Sequence, residues 1–147
     1  MTTTLTKGHD DARTWTGALA AVPLLASLSQ RQRRKVAETA RIRRFTRGTP
    51  LVVEGHAADA LFVILEGDVT VAVDGRAAVA LGPGSFVGEL ALLDGGPRSA
   101  SVVAEGPVVS LVITGRRFRK LMQTEPSIAV GVAEELARRL RASHAVG

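Results

Sequence analysis

The chain contains no cysteine. Disulfides, thiolate catalysis and cysteine metal sites are therefore excluded, and a reducing compartment fits, so the expected location is cytoplasmic. Histidine is scarce as well: His9, His56 and His144 lie far apart with no ligand spacing, and no metal is expected. Aromatic residues make up only 3% of the chain. Long apolar runs are missing too. Ala18 to Leu28 is the candidate, and at eleven residues it falls short of the ~20 needed to span a bilayer. Asp10 and Asp11 precede that run where a signal peptide would carry basic residues, so no membrane association is expected. No Gly-x-x-x-x-Gly-Lys loop and no nucleophile–base constellation occurs, so the chain does not read as an enzyme.

What is present suits a folded domain: 147 residues, 46% of them hydrophobic. The net charge is +5, and the cations cluster. Arg31, Arg33, Arg34, Lys35, Arg41, Arg43, Arg44 and Arg47 form one run with Glu38 as its only acid. Arg116, Arg117, Arg119 and Lys120 form a second group, and Arg138, Arg139 and Arg141 a third. Such clusters mark a nucleic-acid or acidic-membrane surface, or else the solvated faces of helices. No aromatic residue interleaves them for base stacking, which favours the solvated faces, and no sequence-specific nucleic acid is expected.

Residues 1–14 are polar, threonine-rich and without period, and read as a mobile tail. Residues 15–147 read as a single domain. A short helix broken at Pro23 is expected after Trp15. Ser29 then caps a helix over Gln30 to Ala40. From Ile42 the period shortens to that of strands: Leu51–Val53, Leu61–Leu65, Val69–Val73, Ala77–Leu81, Ser99–Ala104 and Val108–Ile113. Asp74-Gly75 is a hairpin signal. Thr114 caps a helix over Gly115 to Gln123, and Pro126 suits the first turn of a last helix. Ile128, Val132, Leu136 and Leu140 recur along that helix as one apolar stripe. The fold class predicted is α+β, mainly β: a jelly-roll β-barrel flanked by N-terminal helices and two C-terminal helices.

The stretch from Gly82 to Ala100 organises the rest. Gly82-Pro83-Gly84 opens it and Gly95-Gly96-Pro97 closes it, leaving room from Gly88 to Leu93 for one or two helical turns. Partnerless N–H groups at the start of such a turn, the close approach allowed by Gly88, and the fork of Arg98 beside the hydroxyl of Ser99 together suit a phosphate. Glu89 is repulsive there unless it accepts a hydrogen bond from a sugar hydroxyl. Taken alone, Glu89 would only complement a helix dipole. Taken together, these residues ask for a ligand with a phosphate and a hydroxyl a few ångströms apart, and a nucleoside cyclic phosphate with a free 2′-OH fits.

Phe86-Val87-Gly88-Glu89-Leu90-Ala91-Leu92-Leu93 followed by Pro97-Arg98-Ser99-Ala100 resembles the phosphate-binding cassette of cyclic nucleotide-binding domains. The resemblance extends from about Pro23 to the C-terminus. It implies that Glu89 holds the ribose 2′-OH. It also implies that Arg98 and Ser99 hold the cyclic phosphate, with backbone amides of Gly88, Glu89, Leu90 and Ala91. It further implies that the last helix can cap the base, with Leu136, Arg139 and Leu140 as candidates; packing of that stripe on the barrel is the other reading. Ser99 does not decide between cAMP and cGMP; cAMP is expected, as a ligand rather than a cofactor.

Family members join this domain to a helix-turn-helix, a kinase domain or a channel pore, and none of these is legible here. The expectation is a stand-alone or excised cyclic nucleotide sensor that signals by repositioning its C-terminal helix, through an output domain or protein partner that is unknown. Its rivals are a regulator acting through a protein partner and an interaction module that kept the fold without the ligand. A hydrolase of the cyclic phosphate is a distant third.

Overall fold

The computed structural model describes residues 3–5, 18–22, 25, 28–56, 60–88, 97 and 100–146. A 3-10 turn over Ala18–Ala21 precedes helix α1, Gln30–Thr39. Ser29 starts α1 through a reciprocal capping box. Its Oγ accepts from the Gln32 amide at 3.1 Å, and Gln32 Oε1 accepts from the Ser29 amide at 2.9 Å. Pro23 lies outside the described residues.

The described residues form nine strands. They are β1 (Thr3–Leu5), β2 (Arg41–Phe45), β3 (Pro50–Val52), β4 (Ala60–Glu66), β5 (Val69–Val73), β6 (Arg76–Leu81), β7 (Phe86–Val87), β8 (Ser101–Ala104) and β9 (Val108–Thr114). One sheet has the order β1-β2-β9-β4-β7 and the other β3-β8-β5-β6, all pairs antiparallel. Helices α2 (Gly115–Thr124) and α3 (Pro126–Val146) end the chain. Thr114 Oγ1 caps α2 by accepting from the Arg117 amide, as its position before the helix predicts.

Strands β4 and β9 are buried almost throughout because the first sheet is covered on both faces. Alternation sorts their side chains. Leu61, Val63, Leu111 and Ile113 join a cluster with the helices, which includes Val36, Phe118, Ile128 and Val132. Phe62, Ile64, Val108 and Val112 face the other way, into the roll, where Val69 and Val102 of the second sheet meet them. Phe45 packs edge-on to Phe62 there, with ring centroids 6.2 Å apart. Ser110 would leave a bare hydroxyl in this interior, so it donates to the carbonyl oxygens of Val63 at 3.1 Å and Leu111 at 3.2 Å.

Two turns require special backbone. Asp74 (φ 53°) and Gly75 (φ 75°) both lie in the left-handed region, which makes the β5–β6 hairpin that the Asp-Gly pair predicts. Gly67 (φ 90°) passes so close to the β8–β9 turn that a Cβ would stand 2.2 Å from the Pro107 carbonyl oxygen.

The mainly-β roll with helices at both ends is the predicted architecture. Three strands were not expected. Within the stretch 1–14, read as a mobile tail, Thr3–Leu5 pair with β2, Thr3 opposite Phe45; β-branched threonines suit an edge strand better than their polarity suggests. In β2 the arginines hide the period, because only Ile42 and Phe45 are buried. Strand β7 is two residues long, too short for any periodic signal.

Candidate functional site

The stretch singled out in the sequence connects the two sheets. Strand β7 hangs on β4, with Phe62 opposite Val87 and Val63 opposite Phe86. Its two side chains anchor it from both faces, Phe86 in the helix-side cluster and Val87 in the roll interior. The turn before it is tied to the same strand: the Gly84 amide donates to Ile64 O and the Ile64 amide to Ser85 O, both at 2.8 Å. Gly88 then leaves the sheet at φ 91°, a conformation in which a side chain is strained. The chain returns as β8 between β3 and β5 of the second sheet. Ser101 Oγ fixes the return by accepting from the Glu54 amide at 2.9 Å, and Glu54 Oε1 accepts from the Asp74 amide at 2.9 Å. The segment that should hold the phosphate thus springs from two rigid sheets.

Of the predicted cassette residues, Gly88 is described; Glu89, Leu90, Ala91, Arg98 and Ser99 lie outside the described residues. Of the predicted cap residues, Leu136 and Leu140 are described, and the side chain of Arg139 is not.

The structure adds an apolar wall that sequence reading did not single out. Val71 of β5 faces Val79 of β6, and Val69 faces Leu81. Val71 and Leu81 pack on the roll interior, with Val69 fully buried behind them. Burial then falls away along the same face, with Val79 50% and Val73 42% exposed. The inner face of the second sheet is therefore open at that end, and a planar apolar group could rest on it. The valines were legible as strand residues; which of them stay uncovered depends on the tertiary arrangement.

The apolar stripe of α3 is only partly docked. Ile128 and Val132 are buried, Leu136 is half-buried against the helix-side cluster, and Leu140 is 58% exposed. The cap candidates Leu136 and Leu140 are thus in different surroundings: the first packs with the helices and the second faces water. Packing along the full stripe, the simpler expectation, stops at Leu136.

Glu125 also escaped the sequence reading. It joins α2 to α3 and is 7% exposed. Its Oε2 accepts from Gln32 Nε2 at 2.9 Å, and its Oε1 lies 3.6 Å from Lys35 Nζ and 3.9 Å from an Arg31 nitrogen. The Gln32 hydrogen bond, then the Lys35 and Arg31 charges, hold its pKa below the usual carboxylate value, against an opposing push from burial. Arg117 adds a second tie by donating to Thr39 O at 3.2 Å. Helix α1 is thereby fastened to both ends of α2. A lone acid before Pro126, in a basic stretch, was the available signal.

Among the described residues no group of acidic or histidine side chains could hold a metal, and no helix is long and apolar enough to cross a membrane. The described residues thus form two sheets joined through the 86–100 stretch, an open apolar wall on the second sheet, and helices α1 and α2 tied together through Glu125 and Arg117.

Comparison with known proteins agrees. The family model for the cyclic nucleotide-binding domain matches residues 42–125, more than half of the chain. The chain belongs to the cyclic nucleotide-binding domain family. It is 37% identical over 120 residues to a cyclic nucleotide-gated potassium channel of Mesorhizobium japonicum, covering 82% of this chain and 33% of the channel. It is 36% identical over 109 residues to the cAMP-dependent protein kinase type II regulatory subunit of Drosophila melanogaster, covering 71% of this chain and 29% of the subunit. The catabolite activator protein of Thermus thermophilus superposes with a TM-score of 0.76 at 31% identity, covering 83% of this chain and 60% of that one. The chain spans about a third of the length of the curated relatives it matches. The family match takes in both sheets from Ile42 onward, the 86–100 stretch, and α2. The relatives are regulatory proteins and channels.

Proposed function

We propose that the chain is a cyclic nucleotide sensor domain that binds cAMP in the segment between β7 and β8 and responds through α3. The family match over residues 42–125 carries this reading, because the complete cassette sequence falls inside it. Glu89 accepts the ribose 2′-OH. Arg98 and Ser99 hold the cyclic phosphate, with N–H groups of the turn that begins at Gly88. The purine rests against the Val71/Val79 wall. The unburied end of α3, around Leu136, Arg139 and Leu140, closes over it, so that ligand shifts the helix between two docking positions. The names of a cAMP-dependent kinase subunit and a cyclic nucleotide-gated channel among the relatives support the ligand class. The chain binds its nucleotide rather than turning it over, and passes the change to an output domain or protein partner.

Replacing Arg98 by alanine tests the reading. Losing one side of a desolvated charged pair costs about 2–5 kcal/mol, so cAMP affinity should fall roughly 30- to 3000-fold. Arg98→Lys should restore part of it, since an ammonium keeps the charge without the fork. The melting temperature of the nucleotide-free protein should hardly move. An affinity within about threefold of wild type, with a lowered melting temperature, would mean that Arg98 serves the fold instead.

A further inference from the structure

The cations of α1 and α2 are arranged against the needs of the helices. The two helices together carry eight Lys and Arg and a single acid, Glu38, a net charge of +7 in a chain whose whole net charge is +5. Neither helix has an acidic residue in its first turn or a basic one in its last. Arg31, Arg116 and Arg117 instead sit at helix N-termini, where the dipole disfavours positive charge. Glu125 answers Arg31 and Lys35. Among the described residues, Arg34, Arg116 and Lys120 have no ion-pair partner.

Residues of the two helices line a groove of about 320 Å³. Lys35, Arg117 and Lys120 line it, with Glu38, the hydroxyl residues Thr39 and Thr124, and buried Leu121 at its floor. The bonds from Gln32 to Glu125 and from Arg117 to Thr39 O hold its walls at a fixed separation.

We propose that this groove is a docking site for an acidic polypeptide segment of a partner protein, several Asp or Glu residues around one apolar side chain. The carboxylates meet Lys35, Arg117 and Lys120, and the apolar side chain fits the Leu121 floor. Charge complementarity carries the choice of an anionic occupant. Shape and composition carry the choice of a polypeptide. A groove with an apolar floor receives a side chain, whereas a bilayer or a duplex meets a surface. The exposed large hydrophobic residues described are Val53, Val73, Val79, Val130 and Leu140, none on α1 or α2, so this face has nothing to insert into lipid. It has no exposed aromatic residue for stacking on bases, since Phe118 is buried. The site is separate from the nucleotide reading and does not depend on it.

Fluorescence anisotropy tests the proposal on the full chain at physiological salt. The probe is a short fluorescein-labelled peptide of glutamates around one central leucine. It should bind saturably and weaken as salt is added. Lys120→Glu should weaken it by about fivefold or more, and Lys120→Gln by less. Arg47→Glu makes the same change in net charge on the exposed β2–β3 turn, away from the groove, and should leave affinity within about twofold. Circular dichroism checks that each variant is folded. Equal losses for Lys120→Glu and Arg47→Glu would overturn the proposal, as would equal binding of the same peptide with glutamine for glutamate. So would a DNA duplex or phosphatidylserine vesicles that bind the groove more tightly than the peptide does. Titrating cAMP into Lys120→Glu separates this site from the nucleotide site: its cAMP affinity should equal that of wild type.

Discussion

Ile128 and Leu140 belong to one apolar stripe of α3 and should respond oppositely to truncation. Ile128 is fully buried in the helix-side cluster, so Ile128→Ala should cost the folded state about 2–5 kcal/mol whether or not nucleotide is present. Leu140 is 58% exposed, and Leu140→Ala should change the stability of the nucleotide-free chain by no more than ~0.5 kcal/mol. If α3 closes over the ligand, the exposed part of Leu140 is buried only in the complex. Complete burial of a leucine side chain stabilises by about 1.5–3 kcal/mol, and the part still exposed represents about 1–2 kcal/mol of that. The loss should therefore appear in affinity, as a roughly 5- to 30-fold weaker cAMP complex. Thermal melts of both variants without ligand, and calorimetric titration of both with cAMP, give the four numbers needed. A Leu140→Ala protein that binds cAMP within about twofold of wild type would refute the closing of α3. So would one whose nucleotide-free stability falls as far as that of Ile128→Ala.

Glu125 has a depressed pKa, so its stabilising contribution is complete above the ordinary glutamate value of the unfolded chain and disappears as pH falls through the lower folded value. Denaturant melts should show Glu125→Gln less stable than wild type near neutrality, with the gap closing below that range; a gap constant with pH would contradict the clamp between α1 and the α2–α3 junction. Gly67→Ala should destabilise by at least ~2 kcal/mol, because it combines a left-handed backbone with a Cβ against the Pro107 carbonyl. The melting temperature should then drop by roughly 4–8 °C, and an unchanged melt would mean that the two turns are not packed as described.

Local chemistry made most of the fold readable. Ser29 and Thr114 cap the helices they precede, Asp74-Gly75 makes its hairpin, and Pro126 opens α3. These signals act over a few residues and survive any tertiary context. What stayed hidden depends on distant neighbours. Strand β2 has arginines at three of its five positions, and only pairing with β1 and β9 makes it a strand. Leu140 continues the period of Ile128 and Val132, yet the body of the protein ends before reaching it. Glu125 looks like any surface acid until α1 brings Gln32 and Lys35 to it from ninety or more positions away. The site divides in the same way. The residue types a cyclic phosphate requires stand together in one stretch of sequence, whereas the apolar wall of Val71 and Val79 exists only once the hairpin meets the rest of the roll.

Calorimetric titration of nucleotide-stripped protein with cAMP and, separately, cGMP tests the sensor reading most directly. One cAMP should bind per chain with saturable heat at roughly micromolar concentration, near −8 kcal/mol, and cGMP should bind more weakly. No heat and no thermal shift even at about millimolar nucleotide would contradict it, and would leave a cyclic nucleotide-binding fold that works without its ligand.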